Sequence, residues 1–171
     1  MSIILNQFGN PPPSSITLHT RKATDIPNVQ DWHLSVSSAS NNARLVADKR
    51  WSKVRWRTTG GSGVYNCHGL TFAARRTNLI DLRWIERILH DDSFEEIHRK
   101  DILSGDVVLY FSPEGEPEHS GIISSVREGD GQGMFQEVWV FSKWGSASEA
   151  VHLIHDCPYN ASNLKFFRVM K

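Results

Sequence analysis

The chain has 171 residues, of which 39% are hydrophobic, and its 19 Lys and Arg residues balance its 19 Asp and Glu residues. A chain of this length is the size of one ordinary domain with a single buried core. Because the net charge is zero and neither half carries a long run of one sign, we expect neither nucleic acid nor a membrane surface as a partner. No apolar run approaches the ~20 residues that spanning a bilayer requires.

The first residues, "MSIILNQFGNPPPSS", lack the basic leader and long apolar core of a secretory signal. The two cysteines, Cys67 and Cys157, are too few for a disulfide framework. We therefore expect a cytoplasmic protein, or one exported by a dedicated secretion system.

The segment "NPPPSS" is stiff and extended, so residues 1–15 are predicted to form an arm and residues 16–171 a single domain. "SITLHT" alternates like a short strand. "NNARLVADKRWSKVRW" is predicted to be a helix with Leu45, Val46 and Trp51 on one side.

Two further helices are predicted in the middle of the chain. "CHGLTFAARR" has helical spacing with Asn66 suited to cap its first turn, and "NLIDLRWIERILHDDSFEEIHRK" has apolar residues at helical spacing. The period then changes: "DVVLYF", "SGIISSV", "EVWVFS" and "LKFFRVM" are short strand patterns separated by turn residues, most simply an antiparallel meander. Helices followed by strands predict an α+β fold.

Cys67 follows a glycine-bearing turn and begins a predicted helix. A cysteine attacks as the thiolate, and unpaired N–H groups at a helix start lower its pKa and can bind an oxyanion. A buried structural cysteine fits the position equally well, since free cysteines are among the most buried residues.

A nucleophilic thiol needs a base, and His119 stands where a loop enters a strand. His68 is a poor base for Cys67, because adjacent helix positions do not face each other. Cys157 with His152 and His155 forms no standard zinc spacing, so we expect neither a metal nor a cofactor.

Two motifs resemble those of the papain-like cysteine peptidases and amidases of the NlpC and CHAP type. "TGGSGVYNCHGL" parallels the family pattern "GG…DCSGL", and "SGDVVLYFSPEGEPEHSGII" parallels "GDLVFF…HVGIY". The resemblance covers about Thr58 to Trp144. It implies a papain-like fold, with the nucleophile helix packed on an antiparallel sheet, Cys67 as the nucleophile and His119 as the base.

The family orients its histidine with a third polar residue on the following strand. Folding the two strands back at "GDGQG" brings His119 opposite "FSKWG". Ser142 is the better candidate for this residue, because its hydroxyl can accept a hydrogen bond whereas Lys143 only donates. Beside the thiol, five residues are candidates for substrate or oxyanion contacts: Arg57, Asn66, His68, Lys143 and Trp144.

The sequence thus predicts a cysteine hydrolase that cleaves amide bonds through a thioester on Cys67, with His119 as general base and then acid. The resemblance implies a peptide or peptidoglycan-peptide substrate, with a protein partner if the chain is an exported effector. The alternative is a catalytically inactive papain-like binding module. A metal site at Cys157 ranks last.

Overall fold

The structure is a computed structural model that describes residues 14–31, 37–58, 61–128, 136–145 and 147–170. These residues form the predicted α+β fold, with an antiparallel sheet flanked by helices. Residues 1–13 of the predicted arm and the predicted turn "GDGQG" lie outside the described residues. In place of the strand expected at "SITLHT", the structure has isolated bridges at His19 and at Ser14, the residue before this segment.

Seven strands of the described chain form one sheet: β1 (Arg55–Trp56), β2 (Phe94–Ile97), β3 (Val107–Phe111), β4 (Pro117–Glu128), β5 (Gln136–Lys143), β6 (Glu149–Leu153) and β7 (Leu164–Val169). Their order in the sheet is β1-β6-β5-β4-β3-β7-β2, and every pairing is antiparallel. β3, β4 and β5 pair as the predicted meander, and β6 extends it. β7, which was predicted to continue the meander, returns instead to the other side of β3.

The helices of the described chain are α1 (Ser37–Arg50), α2 (Cys67–Phe72), α3 (Arg83–Asp91) and a 3₁₀ turn (Arg99–Asp101). None of the described helices is long and apolar enough to cross a membrane. In α1, Leu45 and Val46 are 59% and 61% exposed, and Ala47 is buried. The side on which the sequence places Leu45 and Val46 therefore faces away from the core, because the helix turns the small Ala47 toward the sheet.

The long helix predicted from "NLIDLRWIERILHDDSFEEIHRK" is also only partly correct. α3 ends at Asp91, and Ser93 takes a left-handed φ of 59° that a continuing helix does not allow. Phe94–Ile97 then pairs with β7 as the edge strand β2. Pairing with an open sheet edge overrides the helical propensity of this segment.

Side chains alternate between the two faces of the sheet. The Tyr110 face carries Tyr110 and Val108, which pack in one apolar cluster with Ala47 of α1. The Leu109 face carries Leu109 and Val107, which pack with α3. The helix α2 packs against β4 and β5, at the end of the sheet where β4 begins.

Candidate active site

The start of α2 is held by the side chain of Asn66. Its amide oxygen accepts hydrogen bonds from the N–H of Gly69 at 2.8 Å and of Leu79 at 3.2 Å, and its amide nitrogen donates to the Leu79 carbonyl at 2.8 Å. The predicted N-cap is therefore confirmed. Because these contacts use both ends of the amide, Asn66 serves primarily to place Cys67 rather than to meet a substrate.

Gly69 explains why α2 can lie so close to the segment that follows it. A Cβ atom at this position would lie 1.7 Å from the Thr77 carbonyl oxygen. Only glycine allows this approach. The glycine two residues after Cys67 therefore fixes the depth at which the thiol is buried.

Cys67 is the first residue of α2 and is 6% exposed. Burial raises the pKa of its thiol, while the backbone N–H groups of Ser120 and His68 and the charge of Lys143 lower it. Because α2 has six residues, its dipole is short, and the opposing influence comes from these individual neighbours. The contact with the Ser120 amide places the sulfur beside β4, and Ser120 is the residue after His119.

His119 is fully buried in β4, and neither of its ring nitrogens has a hydrogen-bond partner in the described part of the chain. Its imidazole stacks on Tyr159 with centroids 3.7 Å apart and lies 5.2 Å from the Tyr110 ring. Burial lowers the pKa of His119 well below its ordinary value, and the neighbouring histidines His152 and His68 act in the same direction. The imidazole is therefore neutral at neutral pH and buried from bulk solvent.

The Cys67 sulfur lies against the backbone of Ser120, the residue after His119, but no hydrogen bond joins Cys67 and His119. The Ser120 hydroxyl contacts α2, through His68 Nδ1 and Thr71 Oγ1 at 3.0 Å each. Since alternate residues face opposite ways, the imidazole of His119 lies on the Tyr110 face. The register shifts at this point, where β4 carries a bulge that can re-aim a side chain.

The hydrogen bond predicted between Ser142 and His119 is absent. The predicted strand register is nearly correct, since Ser142 lies opposite Gly121, two residues from His119. The Ser142 hydroxyl instead lies 2.9 Å from His152 Nε2, on β6. The reason is that β6 presents a nearer imidazole to Ser142 than β4 does, a competition that two strands alone could not predict.

His68 follows Cys67 and fastens α2 to β4. Burial lowers the pKa of its imidazole to about 4, so the ring is neutral at neutral pH. Its Nδ1 lies 3.0 Å from the Ser120 hydroxyl. That His68 is a poor base for Cys67, and that it contacts a substrate, stay predictions.

Lys143 is buried to 1% exposure at the end of β5. Its Nζ donates hydrogen bonds to the carbonyls of Ser62 at 2.8 Å and Gly145 at 2.5 Å and lies 5.1 Å from the centre of the Tyr65 ring. Burial lowers the pKa of Lys143 to about 8, against the negative charges of Cys67 and Glu149. The charge of Lys143 therefore acts on the thiol, and its Nζ contacts the segment that leads into Cys67.

The two remaining predicted residues, Trp144 and Arg57, differ in their surroundings. Trp144 is buried in the Tyr110-face core, with its ring edge-on to Trp51 and Trp56. Arg57 is exposed on the rim of an open cavity of about 410 Å³, which it shares with Arg75. The predicted oxyanion contact of Arg57 stays a prediction, whereas the Trp144 side chain serves the core.

A hydrogen-bond network around the buried Glu149, beside this cavity, does not follow from any sequence pattern. Glu149 accepts hydrogen bonds from the Tyr65 hydroxyl at 2.8 Å and from Arg75 Nε at 2.5 Å. Tyr65 lies two residues before Cys67, so this network ties the approach to α2 to strand β6. Glu149 lies 84 residues from Tyr65 and 74 from Arg75, and no local pattern connects it to them.

The environment of Cys157 gives no support to a metal site. Cys157 is buried with its Sγ 3.9 Å from the carbonyl oxygens of Ile154 and Tyr159. Within the described ranges, no three His, Cys, Asp or Glu side chains converge as metal ligands.

No protein-family model, curated protein or solved structure matches the chain. The chemistry of the site therefore rests on the geometry of its own side chains.

Proposed function

We propose that the protein is a cysteine hydrolase of amide bonds with a papain-like fold of the NlpC or CHAP type, in which Cys67 is the nucleophile and His119 the general base and acid. One observation carries this proposal. The Cys67 sulfur lies against the Ser120 backbone N–H, and the residue before Ser120 is a fully buried histidine whose two ring nitrogens have no hydrogen-bond partner among the described residues. A buried polar group without a partner costs free energy, so its presence in the core favours a chemical role.

In this mechanism, His119 takes the thiol proton and the Cys67 thiolate attacks the carbonyl carbon of the substrate amide. The tetrahedral intermediate collapses to a thioester as the protonated imidazole gives its proton to the departing amine. Water then attacks the thioester with His119 as the base, which releases the carboxylic acid and restores the thiol. The net reaction is amide plus water to acid plus amine.

The site also offers donors for the oxyanion that forms during attack. The backbone N–H groups of His68 and Ser120 lie near the sulfur, where they lower the pKa of the thiol. Fixed backbone donors of this kind stabilise a tetrahedral oxyanion without reorganising. To accept the thiol proton, the His119 imidazole has to turn from Tyr159 toward the sulfur, and the bulge in β4 is where this turn would occur.

A second candidate function, a catalytically inactive binding module of the same fold, is favoured by a specific observation. No hydrogen bond joins Cys67 and His119, and burial raises the pKa of the thiol above its ordinary value. In such a module the cavity beside Glu149 would bind a peptide without cleaving it.

Acetyl transfer from p-nitrophenyl acetate separates the two functions. The hydrolase is expected to release p-nitrophenolate and carry an acetyl group on Cys67, read by peptide mass spectrometry. Cys67→Ala abolishes this adduct, Cys157→Ala serves as the matched control and keeps it, and His119→Ala slows acetylation about 100-fold. If the folded protein acetylates Cys67 no faster than Cys157, the hydrolase is excluded and the binding module stands.

A further inference from the structure

Lys143 is a cation in an unusual place. Its side chain is 1% exposed, although lysines are almost never fully buried unless an anion pairs with them. Moving an ammonium group out of water is costly, and burial alone would favour the neutral amine. The surroundings of Lys143 must therefore compensate for the charge.

Three contacts hold the ammonium group in place. Nζ donates to the Ser62 and Gly145 carbonyls, and it lies over the ring of Tyr65. Ser62 and Tyr65 belong to the segment that leads into Cys67, whereas Gly145 follows β5. Lys143 thus joins the entrance of α2 to the end of β5, and its position is fixed at both sides.

These contacts do not include a carboxylate. Glu149 lies directly opposite Lys143 in the strand register, but its Oε1 is already bound by Arg75 and by the Tyr65 hydroxyl. Among the described residues, no carboxylate lies within ion-pair distance of the Lys143 Nζ. Lys143, Arg75 and Glu149 together therefore carry one positive charge that has no local anion.

The Cys67 thiolate is the anion that this arrangement lacks. Ser142 pairs with Gly121, so the next residues outward, Lys143 and Ser120, lie at the same end of the β4–β5 pair, and the Ser120 N–H faces the sulfur. The charge of Lys143 lowers the pKa of Cys67, and the thiolate in turn raises that of Lys143. Each group favours the charged form of the other.

We propose that Lys143 is the counter-ion of the Cys67 thiolate, and that its ammonium group stabilises the thiolate inside a buried site once the thiol proton has left. The proposal deepens the proposed hydrolase and depends on it only for the use of the thiolate in acyl transfer. Lys143 is a positioning residue here: its pKa of about 8 leaves it protonated at neutral pH, and the thiol proton leaves to His119 or to water. No proton passes through the lysine.

Several titratable or charged groups lie around the sulfur and the ammonium group. They are His68 from α2, Glu149 from β6, Tyr159 from the loop after β6, and Tyr65 with Arg75 around Glu149. His119 of β4 directly precedes Ser120, whose backbone N–H lies against the sulfur. His68 and His119 are neutral at neutral pH, because burial lowers the pKa of both. Lys143 is therefore the cation that acts directly on the thiolate.

The experiment measures the rate of iodoacetamide labelling of Cys67 against pH in the wild type, Lys143→Arg, Lys143→Gln and Lys143→Met. An opposite charge at close range typically shifts a pKa by about 1 to 3 units, so the labelling midpoint is expected to rise by about 1 unit or more in Lys143→Gln and Lys143→Met. The rate at pH 7 then falls about 10-fold. Lys143→Arg keeps the charge, and its midpoint is expected to stay near that of the wild type.

Lys143→Gln is the control for packing, because its amide N–H groups can still donate to the Ser62 and Gly145 carbonyls. Circular dichroism and the labelling of buried Cys157 check that each variant is folded. If Lys143→Met does not fold, the comparison of Lys143→Arg with Lys143→Gln still measures the effect of the charge. Equal midpoints in Lys143→Gln and the wild type would overturn the proposal. So would a rise in Lys143→Arg as large as that in Lys143→Gln.

Acetylation by p-nitrophenyl acetate, run on the same variants, separates this proposal from the proposed function. A wild type that shows the Lys143-dependent midpoint without acetylating Cys67 refutes the hydrolase and keeps the ion pair. A wild type that acetylates Cys67 with a midpoint independent of Lys143 keeps the hydrolase and refutes the ion pair.

Discussion

Two clusters of buried polar side chains in this protein differ in how their polar groups are paired. In the Asp91 cluster, the buried carboxylate accepts hydrogen bonds from Thr20, Thr24 and Arg87 and lies 2.9 Å from His90 Nδ1. In the thiol site, formed by Cys67, His119 and Lys143, the imidazole has no hydrogen-bond partner among the described residues and the ammonium group has no carboxylate there.

The difference between the two clusters suggests different roles, one in stability and one in the proposed reaction. The Asp91 cluster fastens the segment around Thr20 and Thr24 to α3, and these partners stabilise the carboxylate. In the thiol site, the buried imidazole of His119 has no hydrogen-bond partner among the described residues, which costs free energy in the folded state. If the proposed reaction uses this imidazole, substitutions in the two clusters should have opposite effects on stability.

The largest expected effect comes from His119→Leu. An apolar side chain of similar size removes two unpartnered nitrogens from the interior, so we expect the free energy of unfolding to stay level or to rise by about 1 kcal/mol. Loss of the base is expected to slow acetylation of Cys67 by p-nitrophenyl acetate about 100-fold. Urea unfolding and the acetylation rate, measured on one preparation, read the two effects.

His119→Gln is the matched polar control, since it keeps hydrogen-bonding groups in the same place without an imidazole. A structural role for His119 predicts that Leu destabilises the protein and leaves the reactivity of Cys67 unchanged. In that case both clusters would contribute to stability alone, and the catalytically inactive binding module would be favoured.

The opposite response is expected at Asp91. The hydrogen bond from Thr24 is the largest of the influences that hold the pKa of Asp91 well below its ordinary value. A depressed folded pKa contributes stability that is fully present above the unfolded pKa of about 4 and is lost as pH falls toward the folded pKa. Asp91→Asn should therefore lower the free energy of unfolding at pH 7 and remove part of the acid-induced loss of stability.

Urea unfolding between pH 7 and pH 3 measures this difference. Asp25→Asn is the matched control, because Asp25 lies in the same segment and its carboxylate pairs with His19 outside the cluster. The adjacent Asp92 is less suitable, since its side chain accepts a hydrogen bond from the Arg21 N–H. The iodoacetamide profile of Cys67 should not change in Asp91→Asn, and a shifted profile would mean that the two clusters are coupled.

The sequence predicts those parts of the fold and site that depend on local patterns. The cap at Asn66, the helix start at Cys67, the α+β class and the approximate register of β4 on β5 follow from spacing and turn residues within short windows. Strand β2 could not be predicted, because it exists only through pairing with β7, which lies far along the chain.

The hydrogen-bond partners of buried side chains could not be predicted either, because they too come from distant segments of the chain. Lysine only donates hydrogen bonds and is ordinarily exposed, so the sequence favours Ser142 over Lys143 as a partner of His119. The burial of Lys143 follows from carbonyl and ring contacts supplied by other segments. The same holds for Ser142. Its partner His152 lies on β6, and the prediction considered only the hairpin of β4 and β5.

The smallest expected effect comes from Ser142→Ala, and it decides between the predicted triad and the observed contacts. Burial lowers the pKa of His152 to about 4, so its ring is neutral, and its Nδ1–H donates to the Leu153 carbonyl at 2.8 Å. Nε2 must then accept the Ser142 hydroxyl proton. Removing the hydroxyl leaves this buried nitrogen without a partner, which is expected to lower the free energy of unfolding by about 1 kcal/mol.

Acetylation of Cys67 should change less than about 3-fold in Ser142→Ala, because the hydroxyl does not touch His119 and a loss of about 0.6 kcal/mol corresponds to that factor. Ser142→Thr, which retains the hydroxyl, controls for packing. An orienting role for Ser142 in a catalytic triad would instead slow acetylation far more than it lowers stability. Such a result would mean that His119 turns toward Ser142 during the reaction, so that its imidazole gains a hydrogen-bond partner only in the reacting state.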